Sequence, residues 1–170
     1  MKLIRPSISL EDDVVDFKEE FLSNNEKTIN GGELLDSNLS FDQWLCHVSD
    51  NSSKDSLPPD WVLTDTYLAI ERDTIVGIIC LRHYLNDFLS NFGHIAFSVR
   101  PSKRRKGYAT LMLGMILDKA RDLNMTSVQL SAMRDNEASI RVIANNGGVY
   151  LRSFDHEGRI ADVYIIDLLD

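Results

Sequence analysis

The sequence predicts an α+β fold in which a mixed, mostly antiparallel sheet of six or seven strands is flanked by about four helices. Short β-rich segments alternate with longer segments of helical periodicity along most of the chain. The last two β-rich segments follow one another across a tight turn, which is typical of a closing antiparallel hairpin. At 170 residues, with 44% hydrophobic and 26% charged residues, the chain suits one globular unit, so we expect a single domain over residues 1–170.

Four segments carry helical signals. The first, over residues 9–23, has apolar residues at helical spacing and acidic residues in its first turn. The second, over residues 41–49, begins with capping-box spacing. The third, over residues 110–120, is rich in Leu, Met and Ala. The fourth begins at Asn136 and ends where Asn and Gly residues tolerate a left-handed backbone.

Seven segments carry strand signals. One of them, from Ile75 to Leu81, is apolar without interruption, which is typical of a strand in the middle of a sheet. The same segment follows the preceding β-rich segment across a short polar turn, which predicts a hairpin. The predicted strands are residues 3–4, 61–70, 75–81, 93–100, 127–131, 149–154 and 160–168.

Composition and charge exclude several classes of function. With 18 Lys and Arg against 26 Asp and Glu, the chain is acidic, which argues against nucleic acid as its main partner. No apolar run approaches the roughly 20 residues that span a bilayer, so no membrane segment is expected. Cys46 and Cys80 lack Cys-x-x-Cys spacing, and neither has a clear base nearby in sequence. We therefore expect reduced thiols in a cytoplasmic protein, with no metal site.

A basic turn separates the predicted strand 93–100 from the predicted helix 110–120. The first turn of a helix has unpaired backbone N–H groups and the positive end of the helix dipole. Gly107 and Ala109 keep side chains small there, so a phosphate group could approach the backbone. A solvated basic loop is the alternative, and the sequence lacks both a Walker-type ending and the three-glycine dinucleotide pattern. Five cations fall within seven positions: Arg100, Lys103, Arg104, Arg105 and Lys106.

The pattern Arg104-x-x-Gly107-x-Ala109 resembles the Arg/Gln-x-x-Gly-x-Gly/Ala signature of the GNAT superfamily of acyl-CoA-dependent N-acetyltransferases. Val99-Arg100-Pro101 precedes it as a hydrophobic-x-Pro step does in that family. Asn136-x-x-Ser139, followed by Gly147-Gly148, resembles the family's next helix and its exit. The resemblance is strong over residues 60–155.

The resemblance implies acetyl-CoA as co-substrate and an amine as acceptor, with a homodimer left open. Backbone amides of the turn would hold the pyrophosphate, and the preceding strand would pair with the pantetheine arm. Asn136 and Ser139 complete the implied cofactor-binding set. The turn and strand residues of that set are Phe97, Ser98, Val99, Arg104, Arg105, Lys106, Gly107, Tyr108, Ala109 and Thr110.

The catalytic groups are less clearly marked. Many family members carry a tyrosine seven positions after the Asn as general acid, and here that position is Ile143. His94 is the only group in its strand that titrates near neutrality, so it is the candidate general base. The alternative is a hydrogen-bonded structural histidine. His83 is a weaker candidate, and His156 is expected in an exposed turn.

The predicted function is therefore transfer of an acetyl group from acetyl-CoA to a primary amine. The missing tyrosine and the missing strand carboxylate motivate an alternative, a non-catalytic acyl-CoA-binding or regulatory module on the same fold. A nucleotide-binding domain that uses the same basic turn is a third option. The acceptor stays open among small amines, amino acids, antibiotics, polyamines and protein N-termini.

Overall fold

The computed structural model describes residues 1–169 and contains four α-helices and seven β-strands, as the sequence predicts. The α-helices are α1 (Glu11–Ser23), α2 (Phe41–Asn51), α3 (Tyr108–Asp122) and α4 (Glu137–Asn145). The strands are β1 (Lys2–Ile4), β2 (Thr64–Glu71), β3 (Thr74–Arg82), β4 (Ile95–Val99), β5 (Ser127–Met133), β6 (Val149–His156) and β7 (Arg159–Asp167). None of the described helices is both long and apolar enough to cross a bilayer.

The seven strands form two antiparallel sheets instead of the one mixed sheet that we expected. The first has the order β1-β2-β3-β4 and the second the order β5-β7-β6. The sheets meet at an isolated bridge between Gly93 and Leu130, next to β4. Gly93 has φ +86°, and a Cβ there would lie 2.3 Å from the Gln129 carbonyl oxygen, so only glycine permits this approach.

Helices cover both faces of the four-stranded sheet. α3 packs Met112 and Ile116 against one face, together with Ile79 and Leu81 of β3. On the other face, α1 and α2 form a second cluster that includes Phe17, Phe21 and Trp44 with Leu68 and Ile78. β3 is therefore buried on both faces, which confirms its predicted position in the middle of a sheet and explains its unbroken apolar run.

The segment between α1 and α2 lies directly on β4. At Gly31, with φ +80°, a Cβ would lie 2.3 Å from the Ala96 carbonyl oxygen, so this backbone contact also requires glycine. The neighbouring Gly32 carbonyl accepts a 2.7 Å hydrogen bond from the indole Nε1 of buried Trp44. The α1–α2 segment is thus held against β4 on the face opposite α3.

Candidate functional site

The basic turn presents unpaired backbone N–H groups, as the sequence predicts. Its first amide, Arg104 N–H, donates to Pro101 O at 3.3 Å, and Leu111 N–H begins the helical ladder with a bond to Gly107 O at 3.1 Å. The six N–H groups of residues 105–110 between them have no acceptor within residues 1–169. Gly107 has φ +81° as the residue before α3, and Arg105 has φ +60°. Consecutive free amides at the start of a helix, here one of 15 residues, are a backbone arrangement that is suited to binding anions.

The Arg104 side chain supports this turn from outside. Its guanidinium binds Glu26 through two hydrogen bonds of 2.6 and 2.7 Å, and its Nε donates to Val99 O at 3.1 Å. The Arg104 guanidinium lowers the pKa of Glu26. The Arg104 side chain therefore fastens the turn to the segment after α1 and to the end of β4.

Arg100 is also engaged inside the protein, although the sequence counts it among the clustered cations. Its side chain is only 8% exposed and forms ion pairs with Asp16 and Glu20 of α1. The same Glu20 carboxylate accepts the Ser102 N–H at 2.7 Å. The free positive charge at the turn thus comes from Lys103, Arg105 and Lys106, which form no ion pair with any described carboxylate.

One edge of β4 pairs with β3, and the other is open, with no strand paired to it within residues 1–169 beyond the bridge at Gly93. Arg82 N–H donates to His94 O at 2.7 Å, and Arg100 N–H donates to Val76 O at 2.9 Å, so these two pairs set the hydrogen-bonding phase with β3. By the alternation of an antiparallel ladder, Ser98 directs its backbone groups to β3, whereas Phe97 and Val99 direct theirs to the opposite side. An extended ligand can therefore pair with Phe97 and Val99, and Ser98 contributes no backbone group at this edge.

His94 lies at the junction of the two sheets. Its N–H donates to Gln129 O at 2.7 Å, and its ring Nδ1 accepts the Gln129 N–H at 3.0 Å. Burial and, to a smaller extent, the charge of Arg82 together lower the His94 pKa to about 4. At neutral pH the ring is uncharged and carries its proton on Nε2, since Nδ1 is occupied as an acceptor. This arrangement favours the structural alternative over a general base, and a catalytic role for His94 stays a prediction.

The other reactive side chains are engaged or inert. His83 lies 3.0 Å from Asp65 through Nε2, and the same carboxylate binds Arg5 at 2.6 Å. Burial raises the pKa of the Cys80 thiol to about 12, and the nearby Asp50 carboxylate raises the pKa of exposed Cys46. Neither cysteine is therefore activated as a thiolate nucleophile.

The start of α4 is a helix cap. The side-chain oxygen of Asn136 accepts the Ser139 N–H at 3.1 Å, and this pair lies where the sequence predicts cofactor contacts. Further along α4, Ile143 is 1% exposed and belongs to the apolar core. The Asn146 amide then donates to Thr110 O at 3.3 Å, so the end of α4 is tied to the first turn of α3.

Sequence reasoning missed Glu33. Its side chain is 10% exposed, and Oε1 lies 3.2 Å from Nη2 of Arg82. Nη1 of Arg82 donates to Gly93 O at 3.0 Å, beside the junction of the sheets. In the sequence, Glu33 is one carboxylate in a segment that reads as loop. The adjacent Gly31-Gly32 pair was the only local sign that this backbone approaches another segment closely.

Residues 3–149 match the protein family described as "Acetyltransferase (GNAT) domain". Because this match spans most of the chain, the protein belongs to the GNAT acetyltransferases. The match confirms the family predicted from the basic turn, and with it the expectation of an acetyl-CoA-dependent acetyltransferase. A search of curated proteins found no significant match.

Solved structures share the fold over nearly the whole chain. A putative acetyltransferase, yncA from Salmonella typhimurium with its cofactor acetyl-CoA, has a TM-score of 0.70 and 14% identity, covering 99% of this chain and 94% of that one. A GNAT-family acetyltransferase from Streptococcus pneumoniae has a TM-score of 0.71 and 15% identity, covering 98% of both chains. A mutant of the spermidine N-acetyltransferase SpeG from Vibrio cholerae has a TM-score of 0.68 and 15% identity, covering 99% and 95%.

Proposed function

We propose that this protein transfers an acetyl group from acetyl-CoA to the primary amine of an acceptor. The observation that carries the proposal is the run of six unpaired N–H groups over residues 105–110, next to the open edge of β4. A diphosphate needs several donors at short range, and a pantetheine arm carries amides that can pair with Phe97 and Val99. The similar fold of yncA, which was solved with acetyl-CoA, supports the same donor here.

The residues of the turn have distinct proposed roles. The amides of Arg105, Lys106 and Gly107, continued by those of Tyr108, Ala109 and Thr110, bind the pyrophosphate. The Lys103, Arg105 and Lys106 side chains complement the phosphate charge. The Arg104 side chain holds the turn in place. Asn136 and Ser139, which form the cap at the start of α4, complete the proposed cofactor-binding set.

The chemistry asks little of the protein beyond positioning and proton transfer, because a thioester is already reactive. The attacking amine must lose a proton, and the leaving thiolate must gain one. The position of the family's general-acid tyrosine is occupied here by the buried Ile143. We therefore propose that water, or a group from another segment, protonates the thiolate. His94 stays the proposed catalytic residue, and mutation can separate that role from a structural one.

For the acceptor we propose only its chemical class, a primary amine. SpeG, which shares the fold, is a spermidine N-acetyltransferase, and a polyamine is one acceptor to be tested here. The free thiols of Cys46 and Cys80 support the proposed cytoplasmic location. We further propose that the chain acts as a single domain, without a metal. Sedimentation at working concentration tests whether it forms a homodimer.

Substitution of Gly107 by valine tests the donor site. Gly107 has φ +81°, which a β-branched residue adopts only under strain, and the added side chain would stand where the diphosphate approaches. We expect acetyl-CoA affinity, measured by calorimetry, to fall at least about tenfold. Gly158→Val is the matched control, because Gly158 has φ +79° and equally open surroundings in the β6–β7 turn.

Unchanged affinity in a folded Gly107→Val protein would count against the site. Turnover with acetyl-CoA over an amine panel then separates the enzyme from the alternative module, which would bind acetyl-CoA and acetylate nothing. Equal thermal protection by ATP and acetyl-CoA would instead favour a nucleotide-binding domain.

A further inference from the structure

The α1–α2 segment places one carboxylate beside β4 with little freedom to move. Gly31 and Gly32 are fixed by the contact with Ala96 and by the Trp44 hydrogen bond. Glu33 and Leu34 follow with φ +47° and +70°, a conformation that non-glycine residues adopt only where their surroundings impose it. The Glu33 side chain is therefore held on the face of the sheet opposite α3.

The Glu33 carboxylate has one ion-pair partner among the described residues, Arg82. Oε1 takes the ion pair with Arg82, whose guanidinium also binds Gly93 O. No hydrogen bond of ordinary geometry reaches Oε2 within residues 1–169, and the other group that faces this carboxylate is the thiol of buried Cys80, whose pKa Glu33 helps to raise. A nearly buried carboxylate whose second oxygen forms no hydrogen bond of ordinary geometry can bind a cation.

Other polar groups share this face near Glu33. Thr66 lies opposite Cys80 in the sheet, and Cys80 lies opposite Ala96 of β4. Thr66 Oγ1 and Asn51 Oδ1 are the two buried side-chain atoms in the described part of the chain that lack a partner. Asn51 is hydrogen-bonded to His47 at 3.1 Å. Burial lowers the His47 pKa, and the negative charge of Glu33 partly offsets this shift. Thr66 and Asn51 thus each keep a side-chain oxygen without a hydrogen-bond partner within the described residues.

We propose that Glu33 binds the ammonium group of the acceptor and makes the protein selective for cationic primary amines. This inference rests on the proposed acetyltransferase function and deepens it. The spare Oε2 pairs with the ammonium, while Arg82 keeps the carboxylate in place beside the junction of β4 and β5. The acceptor nitrogen is thereby held on the face of β4 opposite α3.

Glu33→Gln is the variant of choice, because the glutamine oxygen can still accept the Arg82 hydrogen bond while the negative charge is removed. Binding of spermidine, benzylamine and the tripeptide amide Ser-Ala-Ala-NH2 is measured by calorimetry on protein saturated with CoA. Benzyl alcohol serves as a neutral counterpart of benzylamine. Glu19→Gln, at an exposed α1 carboxylate, is the control for loss of a charge elsewhere.

We expect at least one amine to bind the wild type and to lose affinity roughly ten- to hundredfold in Glu33→Gln, as for a hydrogen bond between charged groups. Benzyl alcohol binding, acetyl-CoA affinity and Glu19→Gln should stay within about twofold of wild type. Amine affinity that is equal in wild type and Glu33→Gln, or no amine binding to the wild type, would overturn the proposal. A lowered melting temperature with unchanged amine affinity would assign Glu33 a structural role only.

Turnover on the same amines keeps this test separate from the proposed function. If the wild type binds an amine through Glu33 and acetylates none, the Glu33 proposal stands and the enzymatic proposal fails. If the wild type acetylates an amine and Glu33→Gln has the same KM for it, the enzymatic proposal stands and the Glu33 proposal fails.

Discussion

His94 illustrates how one side chain acquires its properties from its partners. Its ring is buried and lies near the Arg82 guanidinium, and both features oppose protonation, while its Nδ1 accepts the Gln129 N–H. In the unfolded chain the His94 pKa returns to about 6.5, whereas in the folded protein it is about 4. Between these values the unfolded state binds more protons, so the His94 contribution to stability is full above about pH 6.5 and is lost as the pH falls towards 4.

His94→Asn should therefore flatten the pH dependence of stability between about pH 6.5 and 4, since the Asn oxygen can accept the Gln129 N–H without titrating. Urea unfolding of both proteins at several pH values measures the difference. Carboxylates whose pKa is lowered, such as Glu20 and Glu26, act in both proteins and cancel. Equal slopes would contradict the lowered pKa of His94.

Turnover of His94→Asn decides the catalytic question. Loss of a general acid or base typically lowers the rate by about two to four powers of ten. Such a loss at unchanged acetyl-CoA affinity would support catalysis by His94. A near-normal rate in a less stable protein would leave His94 as the residue that joins the two sheets.

At the scale of elements, α1 and the basic turn are coupled by Arg100. Its Nε donates to Glu20 at 2.6 Å, and its Nη1 donates to Ile75 O at 3.3 Å. Glu20 in turn accepts the Ser102 N–H, so one carboxylate of α1 holds both the end of β4 and the beginning of the turn. The free amides of residues 105–110 are thus positioned by a helix that contributes no predicted ligand contact.

Arg100→Met should lower the free energy of unfolding by about 2 kcal/mol, because charged hydrogen bonds are lost while the exposed Asp16 partner regains water. Arg121→Met is the control, since Arg121 pairs with Asp118 on the exposed surface of α3. Chemical denaturation measures both. We also expect weaker acetyl-CoA binding in Arg100→Met only, and equal stability of the two variants would refute the coupling.

At the scale of the whole molecule, charge is unevenly distributed. The net charge is −8, yet Lys103, Arg105 and Lys106 stand at the turn without carboxylate partners in the described chain. Acetyl-CoA is a multiply charged anion, so at the proposed site the attraction of these cations would oppose the repulsion from the net negative charge of the protein. Such exposed interactions are screened over about 10 Å at 0.1 M salt.

Acetyl-CoA affinity should therefore fall as ionic strength rises, and the doubly substituted Arg105→Gln, Lys106→Gln protein should show a weaker dependence. Titrations at several salt concentrations measure the slopes. Lys54→Gln, a change at an exposed lysine of the segment between α2 and β2, should keep the wild-type slope. A slope that is the same in all three proteins would show that the phosphates do not contact these cations.

Features that depend on neighbours in the chain can be predicted from the sequence. The capping box of Ser40 and Gln43 begins α2 as its spacing predicts. Gly107 ends the turn before α3 in a left-handed conformation, and the unbroken apolar run of β3 is buried on both faces. Each of these follows from hydrogen-bonding and side-chain preferences over a few residues, which the sequence displays directly.

Contacts between distant segments determine which side chains are free and which are engaged, and these contacts are seen only in the folded protein. Arg104 and Arg100 appear as phosphate-binding cations in the sequence, but Glu26 and α1, about 80 residues away, engage their side chains. His94 is occupied by Gln129, and Glu33 meets Arg82 across 49 positions. Such pairings depend on how the sheets and loops are arranged in space, and local propensities carry no record of that arrangement. The division of the strands into two sheets, which meet at the bridge between Gly93 and Leu130, is likewise a matter of contacts between distant segments.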